Sequence, residues 1–280
     1  MTICVVTDST ADIPEEIAAE YGVSVIPVYI NVEGESYLDG VELSREEFYE
    51  RLPDYDPPPK TSAPSLGAFL EVYERLAKSG VTDVISIHIS STLSGVLNVA
   101  KSAAEATEAL RVTVFDSKQL TLGTGFLAIA AAKAAKAGGS LEEIVSMLQR
   151  QVARTTSFAA LETLEYLKRG GRISQIQASL GALLRIKSLL KMYDGEMAME
   201  RIRTTKRLFR RLVDWVDELS PLEQIAIVHA NAPERAEELW ERIRDVLPAE
   251  LTPVFAQVTP AIGTHVGPDS LGLVCVKAEP

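Results

Sequence analysis

The chain has 280 residues, 46% of them apolar, and carries 28 Lys and Arg against 39 Asp and Glu, a formal net charge of −11. This length and apolar content fill one large globular core or two ordinary ones, and the negative balance argues against nucleic acid or an anionic membrane as the main partner. Cys4 and Cys275 stand in apolar runs without metal-ligand or disulfide spacing, and no segment reads as a signal or a span, so a reduced cytoplasmic protein with neither metal nor cofactor is expected.

The first half alternates strands and helices. Residues 3–7 form a continuous apolar run ending in Asp8-Ser9-Thr10, and Pro14-Glu15-Glu16 then opens a helix with proline and acids in its first turn. Residues 23–30 predict the second strand. Residues 31–59 make a polar excursion with a short helix from Ser44 and the run Pro57-Pro58-Pro59; irregular insertions of this length tend to be functional. Ser65 is predicted to cap a helix reaching Lys78. A strand at 84–89, a helix at 97–110, a strand at 112–115 and an alanine-rich helix at 122–136 follow. Strands alternating with helices of this length imply parallel βαβ units.

After Gly138-Gly139 the pattern changes. A helix at 141–153 leads to an apolar run at 157–161, and residues 189–193 and 197–202 flank Asp194-Gly195, a hairpin signal. Strands at 225–229, 251–258 and 271–277 are separated by helices at 205–219 and 233–246. This mixture predicts an α+β domain at 158–280 behind an α/β domain at 1–157.

Three polar segments could carry chemistry: Lys60-Thr61-Ser62-Ala63-Pro64-Ser65, Ser90-Ser91-Thr92-Leu93-Ser94-Gly95 and His265-Val266-Gly267-Pro268. The second lies between a strand and a helix, where α/β sheets place ligand crevices and where helix amides favour an anion. The hydroxyls of Thr61 and Ser62, held between Pro59 and Pro64, suit a carboxylate or phosphate oxygen; the alternative is that Ser62 or Ser65 caps the next helix. Ser91 and Ser94 carry the same two readings, and Gly95 permits close approach of a ligand. His265 is either a structural residue or a ligand contact. His88 and His229 read as core histidines, and Asp8 and Asp116 as strand-end caps, with Asp8 also able to border the cleft.

Basic residues gather twice. Lys168, Arg169 and Arg172 surround Gly170-Gly171, a loop from which Arg172 could grip an oxyanion bidentately. Arg201, Arg203, Lys206, Arg207, Arg210 and Arg211 form a strip that is either a solvated helix face or a dock for an acidic or nucleotide-bearing partner. Ile176, Leu180, Leu183, Leu184 and Leu190 recur at helical spacing and read as core.

Taken in order, Thr7-Asp8-Ser9-Thr10-Ala11-Asp12, Tyr37-Leu38-Asp39-Gly40-Val41 with Phe48-Tyr49, the three polar segments and Gly170-Gly171-Arg172-Ile173 resemble the DegV family, the fatty-acid-binding subunits of bacterial fatty acid kinase. The resemblance covers essentially the whole chain. It implies a parallel-sheet α/β/α domain, a C-terminal α+β domain on a mostly antiparallel sheet, and a long acyl chain in a tunnel at their junction. It further implies that Thr61 and Ser94 bind the carboxylate with His265 and Arg172 close by, Ser62 and Ser91 being neighbours. Arg169, Arg172 and Arg203 would meet an ATP-binding kinase that converts the carboxylate to an acyl phosphate. The chain would then be a carrier and not an enzyme, with the fatty acid as its only ligand; no G-x-x-x-x-G-K-[ST] loop is present. Three positions depart from the family pattern: Asp269 where glycine is usual, Val96 for threonine and Ser188 for proline. The competing classes are a serine hydrolase of lipid esters, with Ser91 or Ser94 as nucleophile, His88 or His265 as base and Asp8 as orienter, and a sensor of another anionic lipid.

Overall fold

The computed structural model describes residues 2–176 and 187–279. In chain order the first half contains β1 (Ile3–Asp8), α1 (Glu15–Tyr21), β2 (Ser24–Ile26), β3 (Tyr29–Val32), β4 (Glu35–Leu38), α2 (Arg45–Arg51) and β5 (Lys60–Ser62). It continues with α3 (Leu66–Lys78), β6 (Asp83–His88), α4 (Val96–Ala106), β7 (Arg111–Asp116), α5 (Leu122–Lys136) and α6 (Leu141–Val152). The second half contains β8 (Thr155–Leu161), α7 (Glu165–Arg169), β9 (Ser188–Tyr193), β10 (Glu196–Arg201), α8 (Thr205–Leu219) and β11 (Leu222–His229). α9 (Pro233–Ile243), β12 (Val254–Gln257), α10 (Pro260–Val266) and β13 (Leu271–Lys277) complete it.

The protein is a two-domain α/β fold. One sheet has the order β2-β1-β6-β7 and is parallel throughout, as the alternation of apolar runs and helices requires. The second has the order β10-β9-β8-β13-β11-β12 and is antiparallel except for its last pair. A small antiparallel sheet, β4-β3-β5, sits beside the first. Local signals explain several boundaries: Ser65 Oγ caps α3 at Ala68 N, Ser140 and Glu143 form a capping box on α6, and Asp194-Gly195 turns β9 into β10 with positive φ at both residues.

The continuous strand expected at 23–30 is instead broken. Pro27 has no N–H to donate, so the run splits into β2 of the parallel sheet and β3 of the small sheet. Thr61 and Ser62, expected in a stiff loop, lie in β5, where Thr61 pairs with Ile30. The segment around His265, taken above only as a polar segment, is the helix α10, opened by Pro260. Residue 157 falls inside β8, whose whole length pairs in the six-stranded sheet, so we propose the change of domain before Thr155. Leu180, Leu183 and Leu184 of the apolar stripe lie outside the described residues.

The six-stranded sheet is packed on both faces. Ile225, Ile227, Leu273 and Cys275 face α8 and α9, where Phe158 stacks on Trp215 at 4.1 Å between ring centroids. Ala226, Val228, Val274 and Val276 face the opposite way and join the core of the parallel-sheet domain. Alternation along the strands thus sends one face to the junction of the two domains. Among the described residues, no helix is long and apolar enough to cross a membrane.

Candidate functional site

A mostly apolar cavity of about 230 Å³ lies between the domains. Its wall includes Ala159, Leu190, Met192, Met197, Val228 and Gly272 from the six-stranded sheet, facing Ile89, Leu93, Val96 and Leu120 from the parallel-sheet domain. Thr61, Ser62, Ser94, Arg172 and His265 also line it. Sequence alternation exposes the apolar positions of these strands but not which of their faces borders open space, so of these wall residues only Leu93, Val96 and Leu190 figure in the sequence reading, and none of them as cavity wall.

Four elements bring the polar groups together. β5 presents Thr61, the loop before α4 presents Ser94, the turn after α7 presents Arg172, and the last turn of α10 presents His265. Thr61 Oγ1 and His265 Nε2 are hydrogen-bonded at 2.9 Å across the domain junction. Burial and the neighbouring Arg172 cation push the imidazole pKa down to about 4, so the ring is neutral at physiological pH and one of its nitrogens is an acceptor. Its Nδ1 is buried without a hydrogen-bond partner among the described residues. Arg172 is held by two carbonyls, Nη1 donating to Gly170 O at 3.0 Å and Nε to Leu93 O at 3.4 Å, which places it next to Ser94. The Ser94 hydroxyl accepts a long bond, 3.4 Å, from Val96 N.

The remaining sequence candidates separate from this cluster. Ser62 lines the cavity from an exposed position and accepts from Asn31 Nδ2 at 3.2 Å. Ser91 is exposed and does not line the cavity; its hydroxyl donates to Asp116 Oδ2 at 2.6 Å, because its side chain turns back to the end of β7. Arg169 is exposed and paired with Glu165 Oε1 at 2.9 Å. Arg203 lines a separate surface groove with Arg207, Arg210, Glu200 and Asp214. Asp269 does not line the cavity, has φ of 60°, and its carbonyl accepts from Arg235. Ser188 is buried at the start of β9, opposite Leu161 and Arg201.

Histidine 88 belongs to a different network. His88 Nδ1 meets Asp8 Oδ2 at 2.9 Å, its Nε2 meets Ser86 Oγ at 2.7 Å, and Tyr73 OH meets Ser86 Oγ at 2.9 Å. The order serine, histidine, aspartate is present, but Ser86, His88 and Asp8 are each 0% exposed, so no ester can reach the hydroxyl. Among the described residues, no carboxylate meets His265 Nδ1 to orient it as a base. Among the described residues no group of three or more His, Cys, Asp or Glu side chains is placed to hold a metal ion.

The family model described as "Uncharacterised protein, DegV family" matches residues 2–278. The chain belongs to the DegV family. The crystal structure of DegV from Bacillus subtilis, described as a fatty acid binding protein, superposes with a TM-score of 0.91 at 34% identity, covering 99% of this chain and 100% of that one. A DegV family protein from Thermus thermophilus, also described by its fatty acid binding, gives a TM-score of 0.89 at 31% identity, covering 99% and 100%. A stearic acid-binding protein from Eubacterium ventriosum gives 0.89 at 25% identity, covering 99% and 98%. The interdomain cavity of this DegV chain therefore sits in a fold whose solved relatives bind fatty acids.

Proposed function

We propose that this DegV protein binds one long-chain fatty acid, its chain in the interdomain cavity and its carboxylate at Thr61, Ser94, Arg172 and His265. The observation that carries the reading is the meeting of hydroxyls, a guanidinium and a neutral imidazole from four separate elements at an otherwise apolar cavity. Chain and head contribute differently. Each buried methylene adds about 0.8 kcal/mol, so a palmitate-sized chain supplies ample affinity even after deductions for association and ordering. A carboxylate buried without donors is costly, and the Thr61 and Ser94 hydroxyls with the Arg172 cation meet that need. The neutral imidazole adds no charge of its own; it accepts or donates according to its tautomer and fixes the Thr61 hydroxyl.

The bound carboxylate is then presented to an ATP-binding kinase, which phosphorylates it to an acyl phosphate, and Arg169, Arg172 and Arg203 meet that partner in the cytoplasm. Exposure of Arg169 and Arg203 and their concentration in a chain of net charge −11 support this assignment. The protein acts as a carrier. Delipidated protein should bind palmitate saturably at one site, and addition of the kinase and ATP should give a hydroxylamine-trapped acyl product. Absence of saturable binding refutes the carrier; binding without acyl product in the presence of active kinase refutes the presentation.

A further inference from the structure

The segments around Asp12 and Asp39 do not supply the carboxylate cluster, yet both reach the helix that carries His265. α10 begins after Thr259, a residue type that commonly caps its own helix, but here the side chain makes no capping bond. Pro260 brings no N–H to the first turn. The exposed donors are instead taken by side chains distant in sequence. Asp12 Oδ1 accepts from Thr259 N at 2.7 Å and Asp39 Oδ1 accepts from Ala261 N at 3.1 Å. α2 adds another hold, because Tyr49 OH donates to Val258 O at 3.1 Å. The same ring lies so close to Gly263 that a Cβ there would come within 2.5 Å of the Tyr49 hydroxyl.

We propose that Asp12 and Asp39 are positioning residues for the fatty acid carboxylate, fixing the start of α10 so that His265, one turn beyond Ala261, meets Thr61. The inference rests on the fatty-acid reading above. A helix of seven residues is too short to hold its own conformation, so its direction is set by what grips its ends. A shift in its first turn is carried to the imidazole, and a small displacement suffices to separate a hydrogen-bonded pair at 2.9 Å. The grip is itself fixed: Asp39 Oδ2 accepts from Ser9 Oγ at 2.6 Å, and Asp12 lies beside the cavity-lining Thr121. Arg45 and Tyr49 of α2 are the other ionisable groups facing the two carboxyls. Burial raises Asp12 to about 7 and Asp39 to about 6, each opposed by Arg45, and the Asp39 charge raises Asp12 further. In either protonation state a carboxyl keeps an acceptor oxygen for the amide, so asparagine can stand in for it while alanine cannot.

Asp39→Ala and Asp39→Asn are compared with the unaltered protein by titrating delipidated samples with palmitate and with hexadecanol, which keeps the chain and removes the carboxylate. The His265 ring resonances of the lipid-free proteins are followed by NMR alongside. We expect Asp39→Ala to weaken palmitate binding by about tenfold while hexadecanol stays within about twofold, with displaced His265 resonances, and Asp39→Asn to restore both. Should Asp39→Ala fail to fold, Tyr49→Phe, which removes only the hydroxyl held to Val258, should give the same selective loss at about threefold. Equal losses for both lipids, or His265 resonances unmoved in a folded variant, overturn the proposal. Failure of the unaltered protein to bind palmitate would sink the fatty-acid reading instead, and the lipid-free NMR comparison would still decide the positioning role.

Discussion

Gly170 and His265 are in contact so close that no side chain fits between them: a Cβ on Gly170 would overlap the imidazole Nδ1. The glycine of the α7 turn therefore sets where the imidazole lies, while the carbonyl of the same residue accepts from Arg172. One backbone position thus holds two of the four residues proposed to meet the fatty acid head group. A second glycine, Gly267, ends α10 with φ of 76° and leaves room for the Tyr166 ring.

Gly170→Ala should displace His265 from Thr61 and cost roughly 1 to 3 kcal/mol of stability by overpacking. Denaturant unfolding measures the stability loss. Palmitate titration of the variant should show weaker binding, and normal affinity would mean that His265 does not touch the carboxylate.

Thr61→Ala combined with Ser94→Ala removes the two hydroxyls presented by β5 and by the loop before α4. Each lost hydrogen bond to the charged carboxylate should weaken palmitate binding by roughly 1.5 to 3 kcal/mol. Hexadecanol affinity should change much less. A folded double variant with unchanged palmitate affinity places the head group elsewhere.

The pH dependence of stability carries the signature of the buried imidazole. Its pKa in the folded protein, about 4, lies below the ordinary value of 6.5, so below pH 6.5 the unfolded chain binds the proton that the folded one refuses. The resulting stability is fully present above pH 6.5 and is lost as pH falls towards 4, up to roughly 3 kcal/mol in full. Asp12 and Asp39 act in the opposite sense, since their folded values are raised and their contribution fades as pH rises towards 7. Chemical unfolding of the unaltered protein and of His265→Gln across this window isolates the imidazole: the difference between them should narrow as pH falls from 6.5. A constant difference would show that His265 titrates normally.

Arg203→Ala addresses presentation without touching the cavity. Arg203 is exposed in the groove beside α8, so palmitate affinity should stay within about twofold. Kinase-coupled acyl phosphate formation should fall at low salt, and the deficit should shrink as salt rises, because screening beyond a Debye length of about 8 Å weakens the unaltered dock as well. Normal phosphorylation at every salt concentration leaves the strip as a solvated face.

Much of this architecture was legible in the residues. Pro14 with Glu15 and Glu16, the Ser65 cap and Asp194-Gly195 act within a few positions, and each marks its element where the structure has it. Thr61 and His265 could be named as candidates, but their hydrogen bond spans 204 positions and is set by tertiary packing. A hydroxyl-rich loop does not reveal which hydroxyl turns to the cavity and which returns to Asp116, as that of Ser91 does. Asp12 and Asp39 sit in quoted motifs, yet the amides they hold lie 247 and 222 positions away, beyond any local pattern.

Native mass spectrometry of the freshly purified protein, before and after delipidation and addition of palmitate, tests the central claim most directly. The account predicts one noncovalent long-chain fatty acid per chain, removed by delipidation, regained on addition of palmitate and diminished in the Thr61→Ala, Ser94→Ala variant. A bare protein that acquires no palmitate, or an adduct indifferent to that double substitution, would contradict it.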